Sequence, residues 1–304
     1  MQIITYVIVE VFTLVLNYYS LRTFTHSKKN IFLKQNNKQE NDNMADKVIL
    51  VVSFGTSYNN NRDLTIGAIE DDIKEHFKDY EIRRAFTSQM IINKLKKRDN
   101  LEIDNVRDAL ERAVHDGVKQ LIVQPTHMMD GTEYHYKIKD HLEDYEDKFD
   151  TLVLGKPLIK YDEDYDDLID CITATEYDDD TAVCFMGHGT PADSNVIYTT
   201  LQDKLTSKKH NNYFIGTVEA EPDFDDVLKM IENGQYKKII LKPLMVVAGD
   251  HAQNDMAGDE EDSWKSMFES NGYEVECVIE GLAQSKDVRK MYIKHLEQLI
   301  EKIN

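Results

Sequence analysis

One short pattern occurs twice in this chain of 304 residues, and that repetition constrains the fold more than any other feature. Lys119–His135 reads KQLIVQPTHMMDGTEYH, and Lys237–His251 reads KKIILKPLMVVAGDH. Pro125 aligns with Pro243 and Gly131 with Gly249, which lays Glu133 over His251. A second pair opens each half: VILVVSFGTS (Val48–Ser57) and AVCFMGHGTP (Ala182–Pro191). There Gly55-Thr56 matches Gly189-Thr190, and Phe54 matches His188. The pattern predicts a duplicated α/β lobe, with polar side chains replacing others at loops that follow strands. The two lobes are expected to face each other across a cleft.

From Asp46 onward, strands and helices alternate, which implies largely parallel sheets. Val48–Ser53 and Thr181–Met186 are continuous apolar runs, as expected of strands buried on both faces. Ile82–Phe86, Gln120–Pro125, Thr151–Leu154, Phe214–Val218 and Ile239–Pro243 read as further strands. Helices are predicted over Asn61–Lys78 (apolar at Leu64, Ile69, Ile73 and Phe77) and over Gln89–Lys97. Another runs over Asp104–His115, with Asp104 as cap and Val106, Ala109, Leu110, Ala113 and Val114 on one face. Tyr136–Phe149 and Phe224–Asn233 also read as helical, and Asp262 is expected to cap a helix carrying Trp264, Met267 and Phe268. The last helix, about Ser285–Ile303, shows Val288, Met291, Tyr292, Leu296, Leu299, Ile300 and Ile303 in one stripe. Tyr161–Asp180, with YDEDYDDLID and EYDDDT, is expected to end the first lobe and cross to the second, its acidic runs solvated.

Residues 1–43 differ from the rest. Met1–Leu21 is apolar, but Glu10 interrupts it and no basic residue precedes it, so neither a signal peptide nor a membrane span is well specified. His26–Asn43 is a polar run of linker composition. The reading adopted is that Met44 is the true start and that 1–43 is a spurious extension; a membrane anchor or export signal is the alternative. The expected organisation is therefore 1–43 as extension, 44–175 as the first lobe and 176–304 as the second.

A formal net charge of −20 argues against a nucleic-acid partner, which would require a surplus of Lys and Arg. Arg83-Arg84 and Lys94–Arg98 are the local basic clusters that could attract an anionic substrate; a solvated helix face explains them equally well. Cys171, Cys184 and Cys277 are far apart and form no C-x-x-C, which argues against an iron–sulfur cluster, a zinc knuckle and a disulfide framework. The chain has no G-x-x-x-x-G-K-[ST], no G-x-G-x-x-G after the first strand and no G-x-S-x-G. Nucleotide-driven chemistry and serine hydrolysis lose ground accordingly, and S-F-G-T-S is only a weak phosphate cradle.

His188, in M-G-H-G-T, follows a buried strand and sits between two glycines. Its counterpart is Phe54, so the fold does not require histidine there. His251, in A-G-D-H-A-Q-N-D, is flanked by Asp250 and Asp255, a carboxylate setting that can orient an imidazole for a late first-row metal. Glu133 is its partner by internal symmetry, and His127 and His135 lie in the same loop region as Glu133. The structural alternatives are a capping or core histidine at 188, a loop histidine at 251 and a solvated glutamate at 133.

At these residues the chain resembles the anaerobic cobalt chelatases of cobalamin biosynthesis, within the class II chelatases. The matching segments are LVVSFGTS, RRAFTSQMIINKLKKRD, THMMDGTEY, FMGHGT and PLMVVAGDHAQNDMAGDEEDSWK, spread over about Lys47–Ile303. The resemblance implies two pseudo-symmetric Rossmann-like lobes with the active site in the cleft between them. It implies ATP-independent insertion of Co²⁺ into sirohydrochlorin or precorrin-2, with His188, His251 and Glu133 binding the metal and removing protons. The family commonly has V-E-[GS]-Y-P where this chain has VEAEP (Val218–Pro222); Glu219 is retained and Glu221 replaces the aromatic. The expected partners are thus a tetrapyrrole and a divalent metal, with no nucleotide, no nucleic acid, no membrane and a homo-oligomer left open, in the cytoplasm. A chelatase for Fe²⁺ (sirohaem) or Ni²⁺, or a non-catalytic metal or tetrapyrrole carrier, is the alternative.

Overall fold

The computed structural model describes residues 46–303. The expectations for residues 1–43 lie outside the described residues.

The apolar run after Asp46 forms β1 (Lys47–Ser53), buried from its second residue onward. A helix over 59–76 follows (α1), broken by a π-helical turn at Asp63–Gly67. A π turn shifts the helical phase. Leu64, predicted on the apolar face, is therefore turned out to 50% exposure, while Thr65 and Ile66 are buried. Then come β2 (Glu81–Phe86), α2 (Gln89–Asp99), the short β3 (Asp104–Asn105), α3 (Val106–His115) and β4 (Gln120–Pro125). A helical stretch over 132–143 (α4) leads to β5 (Thr151–Leu154) and α5 (Asp162–Ile172). These strands make one all-parallel sheet in the order β3-β2-β1-β4-β5.

The second half builds β6 (Thr181–Gly187), α6 (Val196–Ser207), β7 (Tyr213–Thr217), α7 (Phe224–Glu232) and β8 (Lys238–Pro243). It continues with α8 (Trp264–Ser270), β9 (Glu274–Cys277) and α9 (Lys286–Ile303). Its parallel sheet runs β7-β6-β8-β9. This is the first sheet's order without the edge strand, with β6 in the place of β1 and β8 in that of β4. In both sheets the connections reverse direction beside the central strand. Beyond the carboxyl ends of β1 and β4, and of β6 and β8, the loops splay apart and a ligand site can form.

Two helix caps lie one residue later than predicted. Asn105, not Asp104, accepts the N–H of Asp108, while Asp104 belongs to β3 and accepts Arg112 Nε at 2.6 Å. Ser263, not Asp262, caps α8 by accepting the N–H of Ser266. A cap must sit immediately before the first helical residue to reach the free N–H groups, and propensity does not locate that residue. Val114, expected on the apolar face of α3, is exposed.

The acidic stretch does link the two halves and most of its carboxylates are exposed, as expected, but Asp164 is buried and several others are paired. Asp162, Asp166 and Asp170 recur every fourth residue and so share one face of α5. Lys204 of α6 lies 3.1 Å from Asp162 and 3.4 Å from Asp166, and Lys208 lies 3.3 Å from both Asp166 and Asp170. Toward α9, Lys294 pairs with Asp167 at 2.8 Å and His295 Nε2 meets the buried Asp164 at 2.9 Å. Helix α9 packs against α1 and α5 of the first half. The fully buried Tyr292 donates its hydroxyl to the Thr126 carbonyl at 2.8 Å, and Arg289 Nε donates to Asp72 at 2.6 Å. The largest hydrophobic cluster is continuous across both halves, joining Ile49, Val51 and Ile122 to Val183, Phe185 and Ile240. Among the described residues, no helix is long and apolar enough to cross a membrane.

Candidate metal centre

The duplicated glycine motifs build the same turn at the end of β1 and of β6. Gly55 has φ +100° and Gly189 φ +84°, in the left-handed region that only glycine enters without strain. A Cβ at Gly55 would lie 2.6 Å from the Phe86 ring, and one at Gly189 would lie 2.8 Å from the Ala220 nitrogen. Thr56 Oγ1 accepts the N–H of Tyr58 at 3.2 Å, and Thr190 Oγ1 accepts that of Ala192 at 3.3 Å. The residue preceding each glycine is thereby projected from the strand end. In the first half it is Phe54, 48% exposed; in the second it is His188, with its side chain 47% exposed. That accessibility rules out a buried core histidine at 188.

Backbone pairing continues past the strand ends and adds a third residue. Glu219 donates its N–H to the His188 carbonyl at 2.9 Å, as Ser88 does to the Phe54 carbonyl at 3.2 Å. The Glu219 carboxylate is brought to 3.7 Å from His188 Nδ1. His251 arrives from the loop after β8, at the start of a π-helical turn (Ala252–Met256). Its ring centroid lies 4.5 Å from that of His188, with the rings nearly perpendicular at 88°. One ligand atom from each of His188, Glu219 and His251 lies within 4.8 Å of the others. All three side chains are accessible, so an ion or a flat ligand can reach them.

The histidine tautomers follow from what each Nδ1 meets. His188 Nδ1 lies 2.9 Å from the Gly189 carbonyl, which can only accept, so in the neutral ring the proton sits on Nδ1. His251 Nδ1 lies 2.6 Å from the Asp255 carboxylate, with the same consequence. Both Nε2 lone pairs are left free. Two neutral imidazoles and one carboxylate, open on one side, form a donor set that suits Co²⁺, Ni²⁺, Fe²⁺ or Zn²⁺.

The structure thus brings His188 and His251 together, as the sequence led one to expect, and adds Glu219. Glu133 is not one of the three. It lies in the first turn of α4, with its Oε2 buried and without a hydrogen-bond partner. His127 and His135 also lie outside the trio; both ring nitrogens of His127 are buried and unpartnered, and burial pushes it down to about 4, so it stays neutral. Glu219 could have been found by extending the internal alignment through the sheet register. Gly187 pairs with Thr217 as Ser53 pairs with Phe86, which sets Glu219 over Ser88. The basic clusters do not join the centre. Arg83 is paired with Glu81 and Asp116, and Arg84 with Glu70. Arg98 is paired with Asp99 and Lys96 with Glu102.

The halves also touch through a polar contact beside the centre. Tyr58, from the loop after β1, donates its hydroxyl to Asp250 at 3.1 Å. Partial burial and then the adjacent carboxylate raise the Tyr58 phenol above its ordinary value, so it remains a donor.

Comparison with known proteins places these features in a family. The family model described as cobalt chelatase (CbiK) matches residues 47–301. A sirohydrochlorin cobaltochelatase of Salmonella typhimurium is 35% identical over 256 residues, covering 84% of this chain and 96% of that protein. The sirohydrochlorin cobaltochelatase CbiKC of Nitratidesulfovibrio vulgaris is 29% identical, covering 86% and 93% of the two chains. Among solved structures, SirB from Bacillus subtilis with Fe³⁺ shares the fold at TM-score 0.58 and 13% identity, covering 83% of this chain and 94% of that one. SirB from Bacillus subtilis subspecies spizizenii in complex with cobalt gives a TM-score of 0.54 at 14% identity, covering 84% and 95%.

Proposed function

The chain belongs to the cobalt chelatase (CbiK) family, and from that membership and the geometry of its metal centre we propose that it inserts Co²⁺ into sirohydrochlorin, as a lyase of cobalamin biosynthesis. The observation that carries the residue assignment is the convergence of His188, Glu219 and His251, with both imidazole Nε2 atoms free.

Inserting a divalent ion into a tetrapyrrole forms metal–nitrogen bonds while two pyrrole N–H protons leave. A centre that serves this reaction must hold the ion loosely enough to release it and must then take up protons. Imidazole does both, because it is a metal ligand when neutral and titrates near neutrality. His188 and His251 hold Co²⁺ through Nε2, and the Glu219 carboxylate offsets part of its charge. As the ion passes into the ring, the vacated bases accept the two protons. Binding ion and macrocycle side by side at these strand ends would replace a bimolecular encounter with a local transfer. No bond in this sequence requires a nucleotide. Phe54, at the equivalent strand end of the first half, offers an apolar face for the macrocycle. Glu133, opposite His251 in the internal repeat, is assigned to the macrocycle side of the site on that symmetry alone. A cytoplasmic site of action is part of the proposal, resting on three unpaired cysteines.

The test is insertion into sirohydrochlorin followed by absorbance, with Co²⁺, Fe²⁺ and Ni²⁺ in parallel, because the donor set alone does not select among them. Insertion of Co²⁺ faster than the uncatalysed reaction, and faster than the other ions, is the expected result. Binding without turnover for every metal would leave a carrier in place of an enzyme.

A further inference from the structure

The loop that carries His251 is secured in two stages. Up to Ala248 its surroundings hold it: Leu244, Val246 and Ala248 are buried, and Val247 packs against a first-half cluster that includes Ile66, Phe86 and Leu95. The carbonyls of Met245 and Val246 accept the N–H groups of Leu282 and Ala283 at 2.8 and 3.1 Å. At Gly249 the walls recede, where a Cβ would meet nothing within 4 Å, and packing resumes only at the buried Ala252. Asp255 orients the His251 ring but sits on the same helical turn, so it moves with the ring it orients. Among the described residues, the side-chain hydrogen bond that reaches 249–251 from another element is the one from Tyr58 to Asp250, across 192 residues of sequence.

The strand-end turn itself has no need of that hydroxyl. The matching turn after β6 makes the same threonine contact and has Ala192 in the place of Tyr58. Tyr58 is in turn well anchored, since its N–H is held by Thr56 and its carbonyl accepts the N–H of Arg62 at 2.9 Å. We propose that Tyr58 is a positioning residue of the metal centre: through Asp250 its hydroxyl holds His251 in register with His188 and Glu219. This rests on the chelatase reading above. Ligands bonded at about 2.0–2.2 Å must approach one another to about 3–3.5 Å. With ligand atoms set within 4.8 Å, a further drift of the His251 loop would open the centre.

The experiment compares wild type with Tyr58→Phe, Asp250→Ala and the double variant. Co²⁺ binding to the protein alone is read by calorimetry, and insertion is read as separate half-saturating concentrations for Co²⁺ and for sirohydrochlorin. Tyr58→Phe is expected to weaken Co²⁺ binding and raise the half-saturating Co²⁺ concentration together by about 3- to 10-fold, the effect of one net hydrogen bond. The half-saturating sirohydrochlorin concentration and the melting temperature should stay unchanged, and Tyr58→Phe should add nothing in the Asp250→Ala background. Unaltered Co²⁺ affinity in Tyr58→Phe, independent effects in the double variant, or a change confined to sirohydrochlorin would each overturn the inference. Failure of wild type to insert any metal would overturn the chelatase reading instead, and the Co²⁺ calorimetry would still decide the role of Tyr58.

Discussion

The carboxyl ends of the two sheets are built alike and equipped differently. After β1, β2 and β4 the equivalent positions hold Phe54, Ser88 and Glu133; after β6, β7 and β8 they hold His188, Glu219 and His251. Glycine turn, threonine contact and backbone pairing recur in both halves, so none of these side chains is needed to make the turn. The second half has collected metal-ligand chemistry, while the first has kept an exposed aromatic ring at the matching strand end. Duplication supplies two scaffolds built alike, and under the proposed function divergence of a few projecting residues gives one strand end to the ion and leaves the other for the organic substrate.

Substitution of the metal trio sharpens this contrast most. His188→Ala and His251→Ala should each slow Co²⁺ insertion by about 10²- to 10⁴-fold, the range for loss of a catalytic acid–base group. Initial rates at saturating sirohydrochlorin measure this, with Co²⁺ binding lost in parallel.

The seam that joins the halves is tested next. Asp164 is buried, which acts to raise its pKa, but His295 and the N–H groups of Tyr161 and Lys160 outweigh burial and hold the carboxyl below its usual value. A carboxyl depressed in the folded state contributes stability at pH values above its unfolded pKa of about 3.9, and this is lost as pH falls through the folded value. Asp164→Ala should cost about 3 kcal/mol at neutral pH, because it strands a buried imidazole and two N–H groups. Denaturant unfolding at pH 7 and at pH 3 measures this, and the gap between wild type and variant should narrow at the lower pH.

Phe54 carries the smaller effects. Phe54→Ala should raise the half-saturating sirohydrochlorin concentration by about 10-fold, as for an aromatic contact of roughly 1.5 kcal/mol, and leave Co²⁺ binding as it was. An equal loss of Co²⁺ binding would break the division of labour between the faces. Phe54→His should change folding stability by less than about 0.5 kcal/mol and create no second metal centre, since Ser88 and Glu133 supply no second imidazole beside it. Thermal unfolding and Co²⁺ titration read both outcomes.

Much of this was legible in the sequence because it is periodic or local. Buried parallel strands announce themselves as unbroken apolar runs, and the paired P…G and G-T motifs disclose the duplication. His188 and His251 stand out because a functional group appears where the other copy has a different residue. Glu219 did not stand out, because its counterpart Ser88 is itself polar and the two can be matched only through the register of a third strand. The pairing of the acidic stretch and the burial of Asp164 were hidden for a related reason. Its carboxylates, most of them exposed, have partners only because Lys204, Lys208, Lys294 and His295 are brought to them from elsewhere in the chain.

Local backbone chemistry therefore determined the strands, the glycine turns and the two histidines that project from them, since each depends on residues a few positions apart. Only the tertiary structure decided that Glu219 joins those histidines, that Tyr58 reaches Asp250, and that the last helix closes on the first half. Those contacts depend on sheet register and on helices meeting across long sequence separations. They are set by packing of the whole molecule, and no local pattern encodes them.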